Sequence, residues 1–233
     1  MAIIVAAIYL LVFRIWHPSL LNKHRLVKCQ SGIEDLPDEF ISGGTLHDVL
    51  HQRKPPVVLD WQSRHRIALG IAQGLSYLHH DSVPQIDPDL KSNNVSAQVL
   101  KGWRPKIGDF GIAKIVSDYD ENSTNSKIVG TLGYIAPENA YSYHLTEKSD
   151  VYSYGVLLLE LFCRKMPVDP SFEEGLDIVF WVRKNLQRSS NNFLCFLDEE
   201  INLWDVDEQW KALKIVDLAL QVLLKSRQAP GLQ

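Results

Sequence analysis

Residues 152–162 are apolar at nearly every position, and no other stretch limits the fold as tightly. A helix without a polar face has nothing to turn toward water, so it has to lie inside a domain with other elements packed around it. Suitable partners exist. Residues 61–79 bring Ile67, Ile71, Leu75 and Leu78 to helical spacing, with Ala68 and Ala72 on the flank and Asp60 placed to cap the start. Residues 205–224 carry another stripe, Leu213, Val216, Leu220 and Leu223. The chain has 233 residues, 45% hydrophobic and 22% charged, enough for one sizeable core. A mainly α fold is expected. Residues 117–126, rich in Ser, Asn and Asp, predict a surface loop, and Ser189-Ser190-Asn191-Asn192 predicts a connection between helices.

Charge and cysteine usage exclude several classes. The formal net charge is -4 with no basic block, which argues against nucleic acid as a partner. Cys29, Cys163 and Cys195 are scattered and odd in number, so neither a zinc site nor a disulfide framework is indicated, and reduced thiols are expected. Residues 2–13 form a continuous apolar run, followed by Arg14, Lys23, Arg25 and Lys28. As a helix these twelve residues reach only about 18 Å, short of the roughly 30 Å hydrocarbon core. Two readings stay open: membrane association through residues 2–16, with the remainder on the cytoplasmic side, or a buried helix in a cytoplasmic protein.

Chemistry concentrates between residues 89 and 111. Asp89, Lys91 and Asn94 fit D-x-K-x-x-N, and Asp109-Phe110-Gly111 follows 20 residues after Asp89. Phosphoryl transfer requires a carboxylate to orient an attacking hydroxyl, a cation to neutralise the transferred group, and oxygen ligands to hold magnesium against the phosphates. Either motif alone is weak; the two in this order and spacing are specific.

These motifs, with Ala136-Pro137-Glu138 and the segment Lys148-Ser149-Asp150-Val151-Tyr152, resemble a protein kinase catalytic domain. Leu59-Asp60-Trp61, Gly74-Leu75-Ser76-Tyr77-Leu78-His79-His80 and Trp181-Val182-Arg183 are similar to the plant leucine-rich-repeat receptor-like Ser/Thr kinases. The resemblance runs from about Gly44 to about Val222. It implies the large helical C-terminal lobe with short β hairpins, the small β lobe being largely missing. It divides the chain into an apolar and basic segment, 1–27, and an incomplete kinase-like domain, 28–228. It implies Asp89 and Lys91 as catalytic residues, Asn94 and Asp109 as magnesium ligands, and Glu39, Ile41 and Lys91 as ATP contacts. A protein substrate or a partner kinase would be bound. Asp150 would accept backbone N–H bonds from the catalytic loop, and Glu138 would pair with an arginine late in the lobe, for which Arg227 is a poor substitute. His79 and His80, at a helix end, read as surface residues or dipole partners, and the tryptophans as packing.

Departures from the pattern are equally specific. Where the family reads His-Arg-Asp, this chain has Asp87-Pro88-Asp89, one residue short in its approach. Pro88 fixes its own φ and pushes Asp87 toward an extended conformation. Ser96 stands where the family places a leucine under the adenine. The first glycine is Gly32, so no G-x-G-x-x-G loop precedes the hinge-like Asp38-Glu39-Phe40-Ile41, and no V-A-I-K strand is present. Pro37 interrupts the strand expected there. Three readings follow: a Ser/Thr kinase using Mg-ATP, a pseudokinase-type interaction module, or a non-functional fragment of a truncated gene. The departures favour the latter two.

Overall fold

The computed structural model describes residues 44–53, 57–80, 85–96, 105–108, 114–115, 130–140, 145–173, 175–188 and 194–227. Four helices dominate: α1 (Trp61–His80), α2 (Glu147–Cys163), α3 (Ile178–Arg188) and α4 (Val206–Arg227). Strands β1 (Gln85–Ile86) and β4 (Lys114–Ile115) pair antiparallel, as do β2 (Val95–Ser96) and β3 (Lys106–Ile107). Short 3-10 turns cover Ser92–Asn94, Pro137–Ala140 and Glu199–Leu203. This is a mainly helical large lobe, as the sequence implies.

The apolar run forms the axis of the lobe. Every residue of α2 from Ser149 to Cys163 is buried. The helix opens with the Ser149 hydroxyl accepting from the Thr146 backbone N–H, half of a capping box (3.2 Å). It closes on Arg164, a non-glycine residue at φ 49°, whose N–H returns to the Glu160 carbonyl (2.9 Å). The helices α1, α3 and α4 surround it. They contribute Ile67, Ile71 and Leu75, then Val179 and Val182, then Val216, Leu220 and Leu223, all buried. Each such side chain contributes roughly 1.5–3 kcal/mol by leaving water. Gly155 lets α4 approach closely: a Cβ there would lie 3.0 Å from Leu223 Cγ. Asp60 caps α1 as expected, accepting from Ser63 N (2.8 Å).

Polar groups also enter this core. Arg64, fully buried on α1, donates through Nε to the Leu59 carbonyl (3.0 Å), and its guanidinium contacts the Leu161 carbonyl and the Asp198 carboxylate. Arg164 Nε lies 2.9 Å from the same Asp198 oxygen group, and its Nη1 lies 3.0 Å from Glu200 Oε1. Two guanidiniums and two carboxylates thus lock the start of α1, the end of α2 and the Glu199–Leu203 turn together. The tryptophan expectation is met unevenly. Trp61 is buried against Phe162 and Trp204, and Trp181 stacks on Phe172 at 5.1 Å. Trp210, however, is 57% exposed on the first turns of α4. No helix among the described residues is long and apolar enough to cross a membrane, and residues 2–16 lie outside them.

Removing one member of a buried charge cluster leaves the other partners desolvated and unpaired, at a cost of about 3–5 kcal/mol. Arg64→Met is expected to lower the unfolding free energy of the chain by about 3 kcal/mol or more, Arg164 retaining part of the pairing. Urea denaturation followed by far-UV circular dichroism measures it.

Candidate active site

Strand β1 leads into the catalytic loop, and α1 packs against β1. His79, buried rather than on the surface, places Nε2 2.7 Å from Asp150 Oδ2 on the first turn of α2. This corrects the reading of His79 as a surface or dipole partner: a helix end that packs on α2 hides its last inward residue, and only His80 is exposed. Asp150 accepts in addition from the backbone N–H of Asp87 (3.2 Å), the structural role expected of it. Burial raises the Asp150 carboxyl above its usual range, with His79 acting in the opposite direction.

Asp87 is itself buried, and its carboxylate accepts from the Asp89 backbone N–H (3.1 Å). That bond closes an Asx-type turn around Pro88. The carbonyl of Pro88 then faces Gly130, where a Cβ would sit 2.6 Å from the oxygen. Gly130, at φ 123°, is therefore required both by its backbone and by this approach.

The predicted catalytic residues come together. Lys91 Nζ donates to Asp89 Oδ2 (2.5 Å) and to Thr131 Oγ1 (2.9 Å), and Thr131 Oγ1 donates to Asp89 Oδ1 (2.6 Å). Asn94 Nδ2 donates to the Asp89 carbonyl (3.1 Å). The Asp89 carboxylate is thus held from both sides, with only 13% of the side chain exposed between two loops. With its nitrogen committed to Asp89, Asn94 has its amide oxygen to offer a cation, and amide and carboxylate oxygens are the donors magnesium prefers. Gly108 N donates to the Asn94 carbonyl (2.8 Å), which ties the residue preceding Asp109 to the end of the catalytic loop. Asp109, Glu39 and Ile41 lie outside the described residues, as do residues 117–126.

One cluster went unread in the sequence. Glu160, fully buried on α2, accepts from Ser92 Oγ (2.7 Å) and from the Tyr134 hydroxyl, and His51 Nε2 lies 2.7 Å from its Oε1. The signal was present, since a lone carboxylate within the apolar run 152–162 has to be paired. Glu138, by contrast, has a buried Oε2 without a hydrogen-bond partner among the described residues. Arg227 donates to Tyr152 Oη (2.8 Å), pairs with Asp177 and lies 4.5 Å over the Phe180 ring.

Comparison with known proteins fits this geometry. The protein kinase domain family matches residues 13–227, and the chain belongs to that family. It is 50% identical over 147 residues to the LRR receptor-like serine/threonine-protein kinase RGI2 of Arabidopsis thaliana, covering 63% of this chain and 13% of that protein. It is 43% identical over 178 residues to the receptor protein-tyrosine kinase CEPR1 of the same plant, covering 76% and 18%. A receptor-like protein kinase of Ipomoea nil is 48% identical over 145 residues, 62% of this chain and 13% of its own length. The chain therefore spans less than a fifth of the length of these relatives.

Burial, with Glu160 beside it, pushes the Tyr134 hydroxyl above its ordinary value. A group whose folded pKa is raised contributes stability below its unfolded pKa and loses it as pH climbs past that value. Tyr134→Phe is expected to cost about 1.5–3 kcal/mol at pH 7, where a hydrogen bond to a charged group is lost. The gap between parent and variant should narrow by about 1.4 kcal/mol per pH unit above roughly 10, because only the parent's unfolded state then gains a phenolate. Urea unfolding of both proteins at pH 7, 9 and 11 checks the trend.

Proposed function

We propose that this chain is the large-lobe portion of a receptor-like Ser/Thr kinase domain, with residues 28–228 as the kinase-like unit, whose phosphotransfer is impaired. The observation that supports the kinase part is the grip on Asp89. A carboxylate oriented by Thr131, Lys91 and Asn94 is suited to receive the proton of an acceptor hydroxyl. Lys91, 2.5 Å from that carboxylate, would neutralise the transferred phosphoryl. When Mg-ATP is bound, Asn94 and Asp109 would hold the metal, which supplies charge neutralisation between the phosphates.

The impairment rests on Pro88 and Ser96. Pro88 replaces the arginine that the family pairs with a loop phosphate, and its side chain carries no donor. Ser96 puts a buried hydroxyl, without a hydrogen-bond partner among the described residues, where the family's adenine floor is apolar. Residues 1–31 contain no glycine, so that stretch supplies no glycine-rich cover to exclude water from a triphosphate. Electrostatic stabilisation falls steeply in a wet site. An interaction module that binds a partner kinase through the remaining surface is the second reading, favoured by the same Pro88.

Two outcomes are expected. The chain by itself should show a thermal shift under about 2 °C with Mg-ATP and no radiolabel transfer, matching its Asp109→Asn variant. Transfer that disappears in the variant would restore the active-kinase reading. Phosphomimetic Thr124→Glu should leave residues 117–126 unprotected in amide exchange, because the residue preceding Asp89 is Pro88 and not an arginine that could receive the charge.

A further inference from the structure

The segment Thr45 to Arg53 meets the catalytic loop directly at one end and through a shared carboxylate at the other. Thr45 bridges Ser96 in an antiparallel pair, just past Asn94. Six residues later His51 reaches Glu160, whose same oxygen accepts from Ser92. Between these points the segment is internally hydrogen-bonded and anchored in the core. Asp48 accepts from both the N–H and the hydroxyl of Thr45 (2.9 Å each), and Thr45 Oγ1 accepts from Asp48 N (3.2 Å). Leu46, Val49 and Leu50 are buried in the lobe's core.

Glu160 is the junction. Its carboxylate is 1% exposed, and its hydrogen-bond donors come from three separate elements: the Thr45–Arg53 segment, the Ser92–Asn94 turn, and the loop containing Tyr134. An ionised carboxylate only accepts, so His51 contributes an N–H from Nε2. A buried charge deprived of one donor pulls harder on the remaining two or draws in water, and either response moves Ser92 and Tyr134. Ser92 lies between Lys91 and Asn94, and Tyr134 lies three residues after Thr131, so both loops that hold Asp89 pass through this carboxylate.

We propose that His51 is a positioning residue: through Glu160 it holds the Ser92–Asn94 turn and the Tyr134 loop in register, so that the Thr45–Arg53 segment sets the order of the catalytic loop. This inference concerns loop order and stands whether or not the chain transfers phosphate. It assigns the segment next to the hinge-like residues a mechanical link to Asp89 that bypasses any nucleotide.

Amide hydrogen exchange of the 233-residue chain tests it, with His51→Ala, His51→Asn and His51→Gln. Gln carries an N–H donor close to the reach of Nε2; Asn is one methylene too short. In the Ala and Asn variants, exchange in residues 89–96 and 131–136 should rise about tenfold, the equivalent of one hydrogen bond to a charged group. His51→Gln should return both regions to within about twofold of the parent. If opening is confined to residues 45–53, or if Gln leaves the catalytic loop as open as Asn does, His51 is merely a packing residue and the proposal is overturned. Should His51→Ala not fold, the Asn and Gln pair carries the same decision.

Discussion

Two carboxylates on a helix that solvent does not reach organise this lobe. Asp150 and Glu160 sit about three turns apart on α2, both fully buried. A carboxylate in that position is tolerable only if donors surround it, and the donors have to come from elsewhere in the chain. Asp150 draws in His79 and the backbone of Asp87; Glu160 draws in Ser92, Tyr134 and His51. The apolar remainder of α2 collects α1, α3 and α4 without directional preference. The two charges then decide where the loops between those helices come to rest. Hydrophobic burial makes the lobe compact, and electrostatic necessity gives it a site.

Much of this could be read from local pattern. The run at 152–162 is buried all round, the stripe Ile67, Ile71, Leu75 faces the core, and Asp60 caps α1, because each depends on neighbours a few residues away. Asp89, Lys91 and Asn94 converge because they share one loop, and D-x-K-x-x-N specifies their spacing. Asp150 took its expected part as acceptor for the loop backbone. The family itself followed from the order of the motifs.

What escaped the sequence are partnerships across long separations. Arg64 meets Asp198, His51 meets Glu160 and His79 meets Asp150, pairs that no periodicity brings together. Arg64 in particular sits among exposed-looking polar neighbours, Gln62, Ser63 and Arg66, and nothing local marks it as interior. His79 follows the same rule: position at a helix end says nothing about which face the next helix covers. Trp210 went the other way, since a large aromatic is core by default and becomes a surface residue only through the orientation of α4. Arg227 is engaged with Tyr152 and Asp177, a pairing that nothing local in the sequence marks.

The turn at Asp87-Pro88-Asp89 has a consequence for what a substitution within it can change. Asp87 now occupies the buried seat beside Asp150 and braces the Asp89 backbone, while the Pro88 carbonyl rests against Gly130. Exchanging proline for arginine by a single codon change would not undo this arrangement. Asp87 would still sit against Asp150 and still accept from the Asp89 N–H, because neither bond uses the side chain at position 88. The turn is braced from its two aspartates rather than from the residue between them, so the local shape of the loop and the charge at position 88 are separate variables.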